Sequence, residues 1–275
     1  MLKQLNKVVF QVECGKGIDT LQISDVHYDS VKCDRELLTK HLKEAEKLKA
    51  LVVINGDLFD LMGGKYDPRS SYSDIRPEYK SATYLDDVIN DAIQYFSKFK
   101  VRYLIGRGNH ETNIIKRLHS DPTERLVQGL KMMGIECMSM GYSGYIVYKM
   151  SFSKTIRTSI IQHFHHGYGG NAPRSKGVLK VDLNMMQNPD ADIITRGHDH
   201  NKWHVPTNVQ RINQSFNTYM GEVHSLQTGS YKLLGDGFGG WATEKGFNQP
   251  RLGGWWVNVS TTRQAKKVIK VIEAT

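Results

Sequence analysis

Five short apolar runs in this chain each lead into residues of the kind that bind metal ions or carry protons. That recurrence constrains the fold more than any other feature. TLQIS (20–24) is followed by Asp25 and His27, and LVVI (51–54) by Asp57 and Asp60. VRYLI (101–105) precedes Asn109, His110 and Glu111. IIQHFHHG brings His163, His165 and His166, and IITRGHDH brings His198 and His200. Short apolar runs bounded by turn residues read as buried strands. Side chains delivered just beyond the C-terminal ends of several strands fit an open α/β sheet, whose binding crevice forms at that edge. Taken singly, each group is ordinary. An Asp-x-His after a strand is commonly a turn, GDLFD can be a turn whose carboxylates accept backbone hydrogen bonds, and a His-His pair is usually structural. Their joint occurrence at strand ends points to one metal site built from distant stretches of chain.

The segments between the early runs are helical in pattern. Asp34 is the expected N-cap of a helix over 34–49, with Leu38, Leu42, Ala45 and Leu48 recurring at helical spacing. A second helix is predicted over 85–99, with Leu85, Val88, Ala92, Phe96 and Phe99 on one face. Asp121-Pro122-Thr123-Glu124 supplies an N-cap, a proline at the first helical position and a carboxylate at the third, opening a helix that ends near Gly134. Strands alternating with helices imply a partly parallel sheet with helical cover. After about residue 135, strand-like runs follow one another at 145–150, 156–164, 191–195, 223–234 and 254–260, and 263–273 reads as a strand or a short helix. The expectation is two sheets packed face to face with helices outside, in one domain over 1–275. Residues 61–84 show no periodicity and are expected to form a long loop.

Composition narrows the function. The chain has 275 residues, ample for a sizeable core. No apolar run approaches the roughly 20 residues that cross a bilayer, so no membrane span is expected. The N-terminal stretch lacks the pattern of a signal peptide. Cys14, Cys33 and Cys137 are far apart and suggest no disulfide framework, which favours a cytoplasmic setting. The net charge of +9 is uneven: residues 1–150 carry 22 Lys and Arg against 20 Asp and Glu, and residues 151–275 carry 15 against 8. A basic second half suits a phosphate-rich partner such as nucleic acid, and equally suits a plain solvated surface. The Gly-rich turn near 167–170 lacks the GK[ST] ending of a nucleotide-cradling loop.

Asp25-x-His27, Gly56-Asp57-x-x-Asp60, Gly108-Asn109-His110-Glu111, the His165-His166 pair and Gly197-His198-x-His200 together resemble the calcineurin-like metallophosphoesterase family. The blocks stand in family order over residues 25–200, and TGSY (228–231) with the Gly-rich segment after it is similar to the closing region of small members. The resemblance implies a four-layer α/β/β/α sandwich: two mixed sheets, outer helices, and two divalent metal ions between the sheet edges. It makes Asp57 the bridging ligand. Asp25, His27 and His200 would complete one metal's shell, and Asn109, His198 and one histidine of the 165–166 pair the other's. His165 is the expected member, because the first of such a pair usually binds metal in the family; His166 is the alternative. Imidazole, carboxylate and amide oxygen donors suit Mn²⁺, the expected ion, or Fe or Zn²⁺, better than Ca²⁺.

In the mechanism the resemblance implies, a water bridging the two cations is acidified to hydroxide and attacks phosphorus in line, and His110 helps the leaving group. Asp60 would orient a ligand and Glu111 would be structural. Arg107 and Arg174, with Lys176, are candidates to meet a substrate phosphate. The expected activity is that of a phosphodiesterase on nucleotides or nucleic acid, from His27 and the basic second half. Only 75 residues follow His200, little room for the capping domain of the family's DNA-repair nucleases. A compact nuclease, a cyclic-nucleotide phosphodiesterase and a phosphomonoesterase stay open. The rival from another class is a non-catalytic binding protein on the same fold. Its mark would be a broken metal shell, whereas all seven expected ligands are present. Nothing in the sequence indicates an oligomeric state.

Overall fold

The computed structural model describes residues 6–13, 17–63, 72–151, 157–170, 174–213, 215–234, 249–262, 264 and 266–275. Cys14, residues 64–71 of the expected loop, and the Gly-rich segment 235–248 lie outside the described residues.

The first half alternates as its pattern requires. β1 (Lys7–Glu13) is followed by β2 (Ile18–Ile23), α1 (Arg35–Leu48), β3 (Leu51–Ile54), α2 (Tyr84–Phe96), β4 (Arg102–Gly106), α3 (Asn109–Leu118), α4 (Pro122–Met132) and β5 (Cys137–Gly141). The second half is mostly sheet: β6 (Ser143–Ser151), β7 (Arg157–His165), the short α5 (Val181–Gln187), β8 (Ile193–Arg196), β9 (Lys202–Ile212), β10 (Thr218–Thr228), β11 (Trp255–Thr261) and β12 (Lys267–Glu273). Asp34 caps α1 by accepting from the Leu37 backbone N–H at 2.8 Å, and Asp121 caps α4 by accepting from Glu124 at 3.1 Å. Of the stretch 263–273, Lys267–Glu273 is strand. The described part of 61–84 holds two 3₁₀ turns, Tyr72–Asp74 and Pro77–Tyr79. Strands β1, β5 and β9 and helices α3 and α5 were not read from the sequence. Leu48, expected on the core face of α1, is 44% exposed.

Two six-stranded mixed sheets result. One runs β1-β6-β7-β8-β10-β9 and the other β12-β11-β2-β3-β4-β5. Within them β2, β3 and β4 are parallel neighbours, and so are β7 and β8. Between the sheets lies a core from both: Leu51, Val53, Leu104, Val257 and Val259 meet Ile146, Tyr148, Ile160, Phe164, Ile193 and Leu226. A polar seam crosses this core, with Gln162 Nε2 donating to Gln22 Oε1 at 2.8 Å and Tyr148 donating to Gln162 Oε1 at 2.8 Å. Pairing these groups avoids the penalty of burying polar atoms alone. A larger core fills the outer face of the β2–β3–β4 sheet, where Leu38, Leu42 and Ala45 of α1, Val88, Ala92 and Phe96 of α2, and Leu126 and Leu130 of α4 cover Leu21, Ile23, Val52, Ile54, Tyr103 and Ile105. The outer face of the other sheet has a small cover, Ala191, Ile194 and Val223 with Met185 and Val209. The order helix, sheet, sheet, helix is the expected sandwich. Among the described residues no helix is long and apolar enough to cross a membrane.

Candidate metal centre

Parallel strands place their C-terminal ends along one edge, so chain leaving β2, β3, β4, β7 and β8 converges there. Three groups of possible ligands meet: Asp25, His27 and His200; His27, Asp57 and His110; and Asp57, His166 and His198. Asp57 belongs to two of them. His27 Nε2 faces His200 Nε2 at 3.2 Å, and His200 Nε2 lies 3.4 Å from Asp25 Oδ1. On the other side, His166 Nε2 stands 3.1 Å from Asp57 Oδ2 and 3.2 Å from Asn109 Oδ1, and Asn109 Oδ1 is 2.8 Å from His198 Nδ1.

The backbone there is held in an uncommon conformation. Asp25, His27, Asp57, His198 and His200 all have φ between +47° and +73°, the left-handed region that side-chain-bearing residues rarely occupy. Such strain persists only where the surroundings over-determine it. Here Asp25 N–H donates to Gly56 O at 3.1 Å and His27 N–H to Asp57 O at 3.2 Å. His198 N–H donates across the sheets to Asp25 Oδ2 at 2.8 Å. Glycine at 108 is required by proximity, since a Cβ there would overlap Asp57 Oδ1. At Gly56, which has φ +84°, a Cβ would come within 2.5 Å of His166 Nδ1.

The second ring nitrogens are committed, which sets the tautomers. His166 Nδ1–H donates to the Asn55 carbonyl at 2.8 Å, leaving Nε2 toward the cluster. His27 Nδ1 lies 2.7 Å from Asp60 Oδ1, and His110 Nδ1–H donates to the Asp60 carbonyl. Asp60 therefore sits behind two histidines, in the orienting place expected of it. Its other partner is Lys232, with Nζ at 2.7 Å. Asp60 is seated in turn by Asp29, which accepts from the Asp60 and Leu61 backbone N–H groups at 2.6 and 3.0 Å and from the Tyr84 hydroxyl. Neither Lys232 nor Asp29 was singled out by sequence reasoning. The Asp-x-His-x-Asp spacing of 25, 27 and 29 was the available signal for the latter. Glu111 is structural, as expected: it accepts from the backbones of Asp57, Phe59 and Gly108 at 3.1, 3.0 and 2.7 Å.

The structure corrects one expectation and leaves two outside. The ring in the cluster is that of His166, not His165. His165 is the last residue of β7 and lies on the strand's other face; its Nδ1 accepts from Gly167 N–H at 2.9 Å and its ring packs edge-on to Tyr142 and Tyr168. Alternation along a strand separates neighbours, and the chain turns in toward the metal-ligand edge only at His166. Arg107, a candidate for substrate phosphate, is engaged elsewhere: its guanidinium pairs with Asp121 at 2.6 Å and Glu124 at 3.0 Å. Arg174 and Lys176 are exposed and are not brought into the cluster. His163 contacts Ser143 and Tyr145 instead.

Electrostatics set the site's charge. Burial disfavours the Asp57 carboxylate, but the charges of His166, His110 and His27 outweigh it and hold its pKa well below the ordinary range. Burial likewise opposes Asp25, overcome by contact with His200 and the charge of His166. Burial drives His27 down to about 4 despite Asp60, so its ring is neutral. His166 is pushed the other way, to about 10, because Asp57 overrides burial. Burial and Asp57 push Glu111 up to about 7.

This donor set fits divalent cations. Asp25 Oδ1 is buried without a hydrogen bond, and two imidazole Nε2 atoms face each other beside it. Buried lone pairs converging in this way lack a partner unless a cation stands among them. Asp57, shared by two groups, can serve two cations. The family model described as calcineurin-like phosphoesterase matches residues 18–202, which takes in every one of these side chains. The chain belongs to the calcineurin-like phosphoesterase family. It is accordingly a metal-dependent phosphoesterase of a family that works with a binuclear centre. No curated protein matches the phosphoesterase. Solved structures with some likeness include GAP50, the anchor in the inner membrane complex of Plasmodium, at 10% identity and TM-score 0.48, covering 94% of this chain and 85% of that one. A predicted phosphoesterase from Streptococcus pneumoniae stands at 12% identity and TM-score 0.29, covering 93% and 97%. Vps29 from Chaetomium thermophilum stands at 11% and 0.31, covering 93% and 95%. Likeness at this level carries no argument about activity.

Proposed function

We propose that this phosphoesterase is a phosphodiesterase acting on nucleotides or nucleic acid, with Mn²⁺ as its metal. The observation that carries the reading is the His27 ring. It is oriented by Asp60 and faces His200 across 3.2 Å, so the Asp-x-His motif supplies an imidazole to the cluster as in diesterase members. The basic excess of residues 151–275 supports an anionic polymer or nucleotide as substrate.

In this reading Asp25, His27, Asp57 and His200 would hold one cation, and Asp57, Asn109, His166 and His198 the other. Bound there, two divalent cations would neutralise phosphate oxygens and supply an acidified water as nucleophile. The chain's own residues do the rest. The Asn55 carbonyl and Asp60 keep the Nε2 atoms of His166 and His27 turned inward. His110, with Nδ1–H fixed on the Asp60 carbonyl and Nε2 3.8 Å from Asp57 Oδ2, is the proton donor to the leaving oxygen. Burial works against protonating His110, but Asp57 and Asp60 raise its pKa, which suits a donor. Reduced, buried Cys33 and Cys137 support a cytoplasmic setting.

The test compares bis-p-nitrophenyl phosphate with p-nitrophenyl phosphate after Mn²⁺ is added to metal-stripped protein. A clear preference for the diester is expected. Preference for the monoester would make the protein a phosphomonoesterase, and no hydrolysis of either would favour a binding protein on this fold.

A further inference from the structure

The stretch Thr228-Gly229-Ser230-Tyr231, where β10 ends, directs its polar atoms at one short target. That target is Ser24-Asp25, the turn that leaves β2 in the opposite sheet. The Ser230 hydroxyl and the Tyr231 N–H both donate to the Asp25 carbonyl, at 2.8 and 3.1 Å. The Thr228 hydroxyl stands 2.5 Å from the Ser24 hydroxyl, which in turn donates to Asp25 Oδ2. Ser24, Asp25 and Thr228 are fully buried. Each hydroxyl has one proton to give. A carboxylate is the stronger acceptor, so the Ser24 proton belongs on Asp25 rather than on the Gly229 carbonyl 3.2 Å away. Thr228 is then the donor at the Ser24 contact, and it shares its proton with the Arg196 carbonyl at 2.8 Å.

The consequence falls on the other oxygen of Asp25. Oδ2 is held by the Ser24 hydroxyl and by His198 N–H at 2.8 Å, one donor from each sheet. Oδ1 is left without a hydrogen bond, 3.4 Å from His200 Nε2. Holding one carboxylate oxygen turns the other toward the cation. Gly197 leaves room for this, since a Cβ there would stand 2.6 Å from Ser24 Oγ and 2.8 Å from Asp25 Oδ2. We infer that Ser24 and Thr228 are positioning residues for Asp25, a relay of two hydroxyls through which the sheet opposite β2 sets the ligand geometry of one of the two cations. Neither hydroxyl hydrogen-bonds to Asp57, Asn109, His166 or His198, so the other cation is served by separate contacts. The inference rests on the phosphoesterase reading of the site and deepens it, because it makes the two cations unequal in what holds their ligands.

The experiment is Mn²⁺ titration of metal-stripped protein, with free Mn²⁺ counted by paramagnetic resonance. The unmodified protein should bind two ions per chain. Ser24→Ala should hold one ion as tightly as before and the other about tenfold or more weakly, the usual cost of losing a hydrogen-bond partner behind a metal ligand. Thr228→Val keeps the shape and loses the hydroxyl, so it should weaken the same ion by a smaller factor. Thr228→Ser keeps the hydroxyl and should restore it. The Mn²⁺ concentration that gives half-maximal hydrolysis of bis-p-nitrophenyl phosphate should rise in the same order. If Ser24→Ala fails to fold by circular dichroism, the two Thr228 variants decide on the same readout. Unchanged affinity for both ions in Ser24→Ala and Thr228→Val overturns the relay. Equal weakening of both ions overturns it too, since the hydroxyls would then serve the fold at large. An effect of Ser24→Ala alone overturns the part given to Thr228. Each of these results leaves the phosphoesterase reading standing as long as the unmodified protein hydrolyses the diester. Unmodified protein that binds no Mn²⁺ overturns both.

Discussion

The two sheets meet at one catalytic edge but are built differently. The β2–β3–β4 sheet is buried on both faces, under α1, α2 and α4 outside and the intersheet core inside. Its strand ends deliver Asp25, His27, Asp57, Asn109 and His110. The β7–β8–β10 sheet shares the inner core, but its outer face is covered by α5 and a small cluster. Exposed apolar side chains gather on this side, Leu179 just before α5, Met186 on it, and Ile212, Phe216 and Met220 around the β9–β10 hairpin. The contrast separates two tasks. Ligand positions must hold to a fraction of an ångström, which needs rigid elements and committed hydrogen bonds behind each ligand. The outer face of the other sheet holds no such ligands and tolerates a thinner, more exposed layer.

The largest expected effect breaks the shared edge. Asp57→Asn removes the carboxylate common to two ligand groups, and turnover should fall about a thousandfold or more, as expected when charge stabilisation at the reacting phosphate is lost. Metal content by mass spectrometry should fall with it; full metal occupancy would remove Asp57 from the bridging place. The histidine pair gives the next contrast. His166→Ala should weaken metal binding about 100-fold, whereas His165→Ala should change it by no more than a few-fold. Equal effects would undo the assignment made from the Asn55 and Gly167 contacts. Stability should separate the layers: Phe96→Ala, in the large outer core, should cost roughly 3–5 kcal/mol, and Met185→Ala, half-buried at the edge of the thin layer, roughly 1 kcal/mol, by denaturant unfolding.

The smallest effect is on the acid limb of stability. His41, on α1, is buried with Nδ1 2.6 Å from the Tyr231 hydroxyl. Burial lowers its pKa to about 4 from 6.5, its ordinary value in the unfolded chain. The fold therefore refuses a proton that the unfolded chain accepts. The stabilising contribution is complete above pH 6.5 and is lost as pH falls toward 4. His41→Gln should flatten the loss of stability between pH 6.5 and 4; an unchanged slope would mean that His41 is not the group responsible.

The sequence by itself determined the strands and most helices near the site, because buried runs such as LVVI and the Leu38–Leu42–Ala45 stripe carry their periodicity locally. It determined the membership of the site too: Asp25, His27, Asp57, Asn109, His198 and His200 all reach the cluster, since each follows a strand whose direction sends it to one edge. Two matters were decided only by tertiary structure. Helix α3 opens at Asn109 because Glu111 reaches back to the Gly108 N–H, in a stretch that reads locally as a turn. The choice of His166 over His165 depends on the Asn55 carbonyl, 111 residues away in sequence. Periodicity is a property of neighbours along the chain. The tautomer of a histidine is a property of neighbours in space, and only the packed sheets create it.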